Sequence, residues 1–470
     1  MTVDESVECQ AAIASKLAPI FDLCKVMDMS RSNVDLPARL LLNLASWRNA
    51  ATWRIAFSGG LDSTVLLHLL AALSKTESLP TLNAIHVHHG LQAVADTWPE
   101  HCRAVCAALG VPLKVVRVQV QSGASLERAA RDARYHAFTE ALQANEVLLT
   151  AQHRDDQAET LLFRLLRGAG VRGLSGMPSQ RPLGKGHLLR PMLDVTRAEL
   201  EAYANAHGLN WIEDPSNQDR QYSRNFLRHQ VLPVLIQRWP QAVATMARSA
   251  THLSEAQGLL EELADMDLRE ASSASEFAWL GLRSLELAPL AQLSDARQRN
   301  ALSHWLEPLT RLPDTDHWSG WEDLRGATGD ACPVWRLADG ELHRAGGRIW
   351  WLSGHWLRPL PGAGVWLDLA SPLAIPGNGV LSLTGQIPDG PLQIRYREGG
   401  EVMELAGRGH RDLKRLLNER GVPPFVRGRL PLLFKDGQLL AVANLSGLDG
   451  EAAGGWNLHW QPPGEDQGLS

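Results

Sequence analysis

The sequence predicts an α/β fold: a parallel sheet with helices on both faces, followed by a helical domain and a small α+β domain at the C-terminal end. Three observations carry this. The run Trp53 to Phe57 ends in Ser58-Gly59-Gly60, and an apolar segment of helical spacing, Val65 to Leu70, follows, which reads as strand, tight turn, helix. Extended runs at Leu82–Leu91, Leu113–Val120 and from Glu146 onward then alternate with helical segments, the mark of parallel strands joined by crossovers. Beyond residue 235 the pattern changes to Leu- and Ala-rich helical periodicity, and from residue 331 to short apolar runs punctuated by Pro, Gly and Trp, such as Arg348–Leu352 and Gly379–Leu383. The expected domains are 36–235, 236–330 and 331–455, with an unassigned extension 1–35 and a disordered tail 456–470.

A chain of 470 residues exceeds what one core supports, so two or three domains are expected. Hydrophobic residues at 44% and charged residues at 21% fit a soluble globular protein. No apolar stretch is long enough to span a bilayer, and Asp4, Glu5 and Glu8 do not make a secretion signal, so a cytoplasmic protein without a membrane partner is expected. Five scattered cysteines with no Cys-x-x-Cys argue against a disulfide framework or a zinc site. The net charge of -6 hides a polarised distribution. Residues 161–197 hold seven basic groups against one acid, residues 251–330 fifteen acids against six arginines, and residues 395–430 nine basic groups against five acids. Two basic zones separated by an acidic one suit a protein that offers selected surfaces to a polyanion, although solvated charge runs look similar.

The turn after the first strand is built for phosphate. Gly59 and Gly60 let bare backbone approach an anion, the first N–H groups of the helix are unpaired, and Ser58, Ser63 and Thr64 add hydroxyls. The turn lacks the lysine of a Walker loop and lacks Gly-x-Gly-x-x-Gly, and it contains an acid, Asp62. A carboxylate among phosphate-binding donors calls for Mg²⁺ as the bridge. In a parallel sheet, ligands bind at the carboxyl ends of the strands, where His88 and His89 also fall. Arg131 and Arg134 share a face of the helical segment Ser125–Tyr135, with Ser125 as N-cap; they suit either bidentate phosphate binding or a solvated face paired with Glu127 and Asp132. At the fourth strand end, Asp156 and Glu159 converge with His153. These carboxylates can complete a Mg²⁺ shell with Asp62, attract a cationic substrate, or simply favour the helix dipole.

The pattern Ser-Gly-Gly-x-Asp-Ser at Ser58–Ser63 resembles the PP-loop of the ATP pyrophosphatases, which split ATP between the α and β phosphates. The likeness becomes specific with His88-His89-Gly90-Leu91, with Glu127, Arg131 and Arg134-Tyr135, with Gln152-His153-x-Asp155-Asp156-Gln157-Ala158-Glu159-Thr160, and with Arg167-Gly168-x-Gly170-x-x-Gly173-Leu174. Glu213-Asp214-Pro215-Ser216-Asn217 and Arg224-Asn225-Phe226-x-Arg228 extend it. The whole resembles the tRNA(Ile)-lysidine synthetase family, and the blocks Arg395–Glu401, Lys414–Leu417 and Val422–Leu432 resemble its C-terminal domain. Where this chain has Gln152-His153, many members carry two histidines.

That resemblance implies a Rossmann-like sheet with a PP-loop, ATP and Mg²⁺ as cofactors, and ligation of free L-lysine to the wobble cytidine of tRNA(Ile) with a CAU anticodon. A homodimer is left open. It implies ATP binding by Ser58, Gly59, Gly60, Leu61, Asp62, Ser63, His89, Arg131 and Arg134, metal binding by Asp62 and Asp156, and catalysis by Asp62, His153, Asp156 and Glu159. Tipped by the same likeness, Arg167 and Arg172 in a mobile glycine-rich loop, Arg224 and Arg228 in a helical stripe with Arg220, and Arg395, Arg397, Lys414, Arg427 and Arg429 are expected to meet tRNA. The runner-up is tRNA thiolation on the same loop; sulfur delivery generally needs a reactive cysteine pair, a zinc knuckle or an Fe–S cluster, which argues for an amine nucleophile instead.

Overall fold

The computed structural model describes residues 35–90, 93–120, 126–313, 315–328, 331–360, 362, 364–386, 388–405, 409–450 and 455–464. Residues 1–34, Leu91, Ser125, the side chain of Glu127 and the last six residues of the expected tail lie outside them. The chain divides into two compact units, Met1–Gln257 and Gly258–Ser470.

In the first unit, β1 (Thr52–Ala56), β2 (Thr81–His88), β3 (Leu113–Arg117), β4 (Glu146–Leu149), β5 (Gln180–Leu183) and β6 (Gly186–Leu189) form one sheet in the order β3-β2-β1-β4-β6-β5. All neighbours are parallel except the β5–β6 hairpin at the edge. The helices of eight residues or more are α1 (Leu36–Asn43), α2 (Leu61–Leu73), α3 (Trp98–Leu109), α4 (Leu126–Ala141), α5 (Arg154–Leu165), α6 (Arg197–Ala206) and α7 (Ala242–Ala271), the last of which contains the division between the units.

Both faces of the sheet are covered, because successive strand side chains point to opposite sides. Trp53 and Ile55 of β1 join Leu66, Leu70, Cys102 and Leu200 in one core. Ile85, Leu148 and Leu188 join Phe138 and Leu142 in the other. Chain order reverses at β1: the next two strands lie on one side of it and β4 on the other. That reversal falls at the carboxyl ends of β1 and β4, the place where open α/β sheets bind ligands.

The second unit departs from two expectations. The segment 236–330 is not wholly helical: β7 (Ser284–Glu286) pairs with β10 (Arg348–Leu352), which continues through β9 (Glu341–Ala345) to β8 (Val334–Arg336). Leu285 is buried there with Ile349, Trp351, and Leu302 and Trp321 of α8 (Asp295–Leu306) and α9 (Ser319–Gly326). A three-residue strand shows too little alternation to stand out in an acidic helical stretch. The tail is the second correction. Trp456–Gln461 is a strand paired along Gly379–Gly385, with Trp456, Leu458 and Trp460 buried and the residues between them facing outward. That period of two was legible in Trp-x-Leu-x-Trp but was masked by the glycines and prolines around it. Leu458→Ala is expected to destabilise the chain by ~2–5 kcal/mol, the cost of emptying a fully buried leucine site, measured by urea denaturation.

Candidate active site

The turn Ser58–Ser63 leaves β1 and enters α2 without a side-chain cap. Gly59 takes φ +87°, whereas Gly60 is extended at φ -75°, so only the first of the pair needs glycine for its backbone angle. A Cβ at Gly59 would lie 2.6 Å from Ile212 Cδ1 and 3.1 Å from Cys102 Sγ. The close approach is functional: the Ile212 N–H donates to the Gly59 carbonyl at 2.8 Å, laying the segment Trp211–Asp214 along the turn. Ser58 Oγ and Ser63 Oγ are 3.0 Å apart, and Ser63 donates to the Gly60 carbonyl at 3.0 Å. Thr64 is buried and its hydroxyl is spent on the carbonyls of Gly59 and Gly60, so it stabilises the turn from behind and is no ligand donor.

The turn opens onto a cleft of about 750 Å³ lined by Ser58, Gly60, Leu61, Asp62, Ser63, His86, His89, Arg134, Tyr135, Gln152, Asp156, Arg197, Glu213, Asp214, Asn217 and Arg228, among others. The volume suits a nucleotide together with a second substrate. Of the two histidines at the end of β2, His89 faces the cleft, while His88 is buried, with Nε2 3.1 Å from the Ala95 carbonyl and 3.2 Å from Asp96. Burial and then the neighbouring Arg134 hold His89 below the ordinary histidine range, so it is a neutral imidazole at pH 7.

Charge organises the floor. Asp62 Oδ1 lies 3.8 Å from His153 Nε2 and 3.8 Å from Arg197 Nη1, and it is a buried oxygen without a hydrogen-bond partner. Burial raises the Asp62 carboxyl above its usual range, opposed by His153, Arg197 and Arg228 and reinforced by Asp156. His153 is 1% exposed, with Nδ1 3.5 Å from Asp155 and Nε2 3.5 Å from Asp156. Burial works against its protonation, but Asp155, Asp156 and Asp62 outweigh it and lift the imidazole above its usual range. His153 is thus a buried imidazole set among three carboxylates that favour its charged form. A raised proton affinity suits the catalytic part expected for His153 less to accepting a proton than to fixing the carboxylates around it.

Glu159 also departs from expectation. It is 2% exposed, and both of its oxygens are taken by Arg228, from Nε at 2.6 Å and Nη2 at 2.9 Å, while Nη2 also reaches Asp156 at 3.2 Å. Glu159 therefore holds Arg228 in place and does not line the cleft. Arg228, expected on an RNA-facing stripe, is turned inward. Arg220 precedes the short helix Ser223–Phe226, and the chain continues as a π-helical turn, Leu227–Val231, whose wider winding breaks the i, i+4 register. Arg224 stays half-buried outside the cleft lining.

The other basic positions divide. Arg167 and Arg172 are exposed, Arg167 lying 4.9 Å from the Phe163 ring centroid. Their glycine-rich turn is tied down, since Arg164 donates to the carbonyls of Gly173 at 2.7 Å and Gly176 at 2.8 Å. In the second unit Arg395 and Lys414 are exposed, Arg397 sits 3.7 Å from Glu401, and Arg427 donates to the Val422 carbonyl at 2.8 Å. Arg429 is buried, its guanidinium on the carbonyls of His355 and Arg358 and on the side chain of Asn378, so it braces the domain and is not a surface for RNA.

The residues missed from sequence are Arg197 and the Ile212 backbone. Arg197 is brought to Asp62 because its own N–H, in the first turn of α6, donates to Asp155 Oδ2 at 2.9 Å; nothing local marks that contact in the sequence. Two outcomes follow. Gly59→Ala is expected to cost ~1–3 kcal/mol of stability through left-handed strain and the Ile212 clash, and to weaken ATP binding in calorimetry. For His153, a folded-state pKa above the unfolded value means that its contribution is complete below about pH 6.5 and is lost as pH rises through the folded pKa. The stability gap between the parent and His153→Gln, from denaturant titrations, should therefore be larger at pH 6 than at pH 9; an equal gap would show the imidazole to be neutral.

Comparison with known proteins agrees with this geometry. Family profiles match residues 35–235 as a PP-loop domain, residues 285–350 as the TilS substrate binding domain and residues 392–460 as the TilS substrate C-terminal domain. A tRNA(Ile)-lysidine synthase of Pseudomonas fluorescens (strain Pf0-1) is 74% identical over 441 residues, 94% of this chain and 100% of that protein. Proteins of the same name from Pseudomonas syringae pv. tomato and Pseudomonas aeruginosa are 64% and 63% identical, each over 93% of this chain and over 98% and 99% of their own lengths. With the glycine turn, the acid-lined cleft and the domain succession all in place, the chain belongs to the tRNA(Ile)-lysidine synthase family.

Proposed function

We propose that this protein ligates L-lysine to C2 of the wobble cytidine of a CAU-anticodon tRNA(Ile), using ATP and releasing AMP and diphosphate. The observation that carries the reading is the meeting, at the crevice between β1 and β4, of a lysine-free glycine turn with Asp62 and Asp156. In the first step the cytidine C2 oxygen attacks the α phosphorus of ATP and the bond to the β-phosphate oxygen breaks. In the second, the ε-amine of lysine attacks C2, the C2–oxygen bond breaks with AMP leaving, and the nitrogen gives up a proton.

The chain's own groups suit both steps. Backbone N–H groups at the start of α2 point at the phosphates and stabilise the charge that develops on the leaving diphosphate. The orphaned Asp62 oxygen fits a Mg²⁺ ion, which binds through one or two carboxylates together with substrate phosphates and water, and Asp156 is the second cleft-lining carboxylate in reach. When bound, the ion would offset phosphate charge. Asp156, held by Arg228 and by the His153 N–H at 3.1 Å, is fixed to receive an ammonium group and to take its proton. The exposed Arg167, Arg172, Arg395 and Lys414 supply cations for the RNA backbone. Among the described residues no helix is long and apolar enough to cross a membrane.

Thiolation is disfavoured by the thiols themselves. Cys102 beneath the turn and Cys106 are buried, and burial pushes them up to about 12 and about 11, so neither is a nucleophile at neutral pH. Incubation with labelled lysine, ATP and transcripts of CAU-anticodon isoleucine and methionine tRNAs should label only the former. Asp62→Asn should slow tRNA-dependent diphosphate release by about 100-fold or more. Asp156→Asn should raise the KM for lysine about tenfold and, because Asp156 is also the second carboxylate for the ion, slow diphosphate release as well, though less than Asp62→Asn does. Labelling that survives in Asp62→Asn would sink the assignment.

A further inference from the structure

A second group of residues suited to phosphate stands beside the cleft, away from the glycine turn. Tyr135 of α4 lines the cleft, with Arg131 Cζ 4.9 Å and Arg181 Cζ 5.1 Å from its ring centroid. Arg181 comes from the edge strand β5, and Arg190 follows β6. Arg190 is 5% exposed; it donates to the Pro178 carbonyl at 2.7 Å, yet its Nε is buried with no hydrogen-bond partner.

Among the described side chains the cluster is short of carboxylates. The groups acting most strongly on Arg190 are Tyr135, Arg181 and Arg131, and those acting most strongly on Tyr135 are Arg131, Arg190, Arg181 and Arg134; none is a carboxylate. Burial opposes ionisation of Tyr135, but the four guanidinium groups outweigh it and hold the phenol below its ordinary range. Burial likewise lowers Arg190, opposed by the charge and hydrogen bond of Tyr135 and reinforced by Arg181 and Arg131. Among the described side chains no carboxylate is paired with Arg131, Arg181 or Arg190; crowded cations repel one another, and an anion that enters removes that repulsion. Planar guanidinium forks match a phosphate's oxygens in bidentate fashion, and a phenol adds a donor.

We propose that Arg131, Tyr135, Arg181 and Arg190 form a binding site for a backbone phosphodiester of the RNA strand whose target base enters the cleft. The inference rests on the function proposed above. It moves Arg131 from the ATP set to the RNA set and leaves Arg134, which lines the cleft itself, with the nucleotide. The triphosphate belongs to the glycine turn, so the second site serves the strand and fixes the register of the base against the α phosphate.

The test uses the full chain and a CAU-anticodon tRNA(Ile) transcript, without ATP, across a range of salt. Arg181→Gln should bind about tenfold more weakly, the worth of one charge-assisted contact. Its plot of log affinity against log salt should be shallower by about 0.7–0.9, one phosphate contact. The KM for ATP in diphosphate release at saturating tRNA should stay within about twofold. Arg131→Gln, at an exposed helical position, should repeat the pattern, and thermal melts confirm that both variants fold. Unchanged affinity and slope in both folded variants overturn the proposal, as does a raised KM for ATP with tRNA affinity kept. A parent protein that fails to bind the tRNA overturns the function itself and is distinguishable from either result.

Discussion

Arg228 held between Glu159 and Asp156 is the contact on which the site's arrangement depends. A carboxylate as buried as Glu159 is costly to keep ionised unless a cation meets it with good geometry, and the paired guanidinium does so. Because the same guanidinium reaches Asp156, the position of the cleft-lining acid is set from the protein interior. Burial raises Glu159 toward neutrality and Arg228 opposes it, so removing either partner would leave a buried charge uncompensated. His153 plays the matching part on the other side, a buried imidazole within 3.8 Å of Asp62 and 3.5 Å of Asp155 and Asp156, whose carboxylates favour its charged form. Asp62 and Asp156 thus enter the cleft with their surroundings set by His153 and Arg228.

The scaffold explains why these groups meet. Asp62 follows β1, His153 and Asp156 follow β4, and the two strands are hydrogen-bonded neighbours at the point where chain order reverses. Arg197 is carried in by the cap of α6, Arg228 by a π-helical turn, and Ile212 by its backbone bond to Gly59. Five segments spread from residue 58 to residue 228 therefore converge on one crevice, and the parts farthest apart in sequence supply the counter-charges.

The legible parts were those written in local chemistry. A β-branched run ending in Ser-Gly-Gly-Leu-Asp-Ser announces a strand, a phosphate turn and an acid without any knowledge of the fold, and the alternation after it announces a parallel sheet. The direction of a side chain is a different matter. Nothing near Glu159 or Arg228 in sequence indicates that they bind each other across sixty-nine positions, so the first looked like a carboxylate for metal or a cationic substrate and the second like a surface contact. Arg429 was misread for a related reason: its acceptors are carbonyls of His355 and Arg358 and the side chain of Asn378, all distant in the chain, and an arginine in a Pro-rich block carries no local sign of burial. The strand at Trp456 was hidden by its short length and flanking glycines. Pattern reports what a segment favours, whereas the pairing of charges is settled only when the segments pack.

The account stands or falls on the glycine turn and Asp62 acting together as the seat of metal and triphosphate. The most direct measurement is a crystal structure of the protein with Mg²⁺ and an ATP analogue carrying a methylene bridge between the α and β phosphorus atoms. The account predicts phosphate oxygens on the backbone N–H groups between Gly60 and Ser63, with the ion on the now unpartnered Asp62 oxygen. A nucleotide bound elsewhere, or an Asp62 still directed at His153 and Arg197 while the analogue occupies the turn, would contradict it.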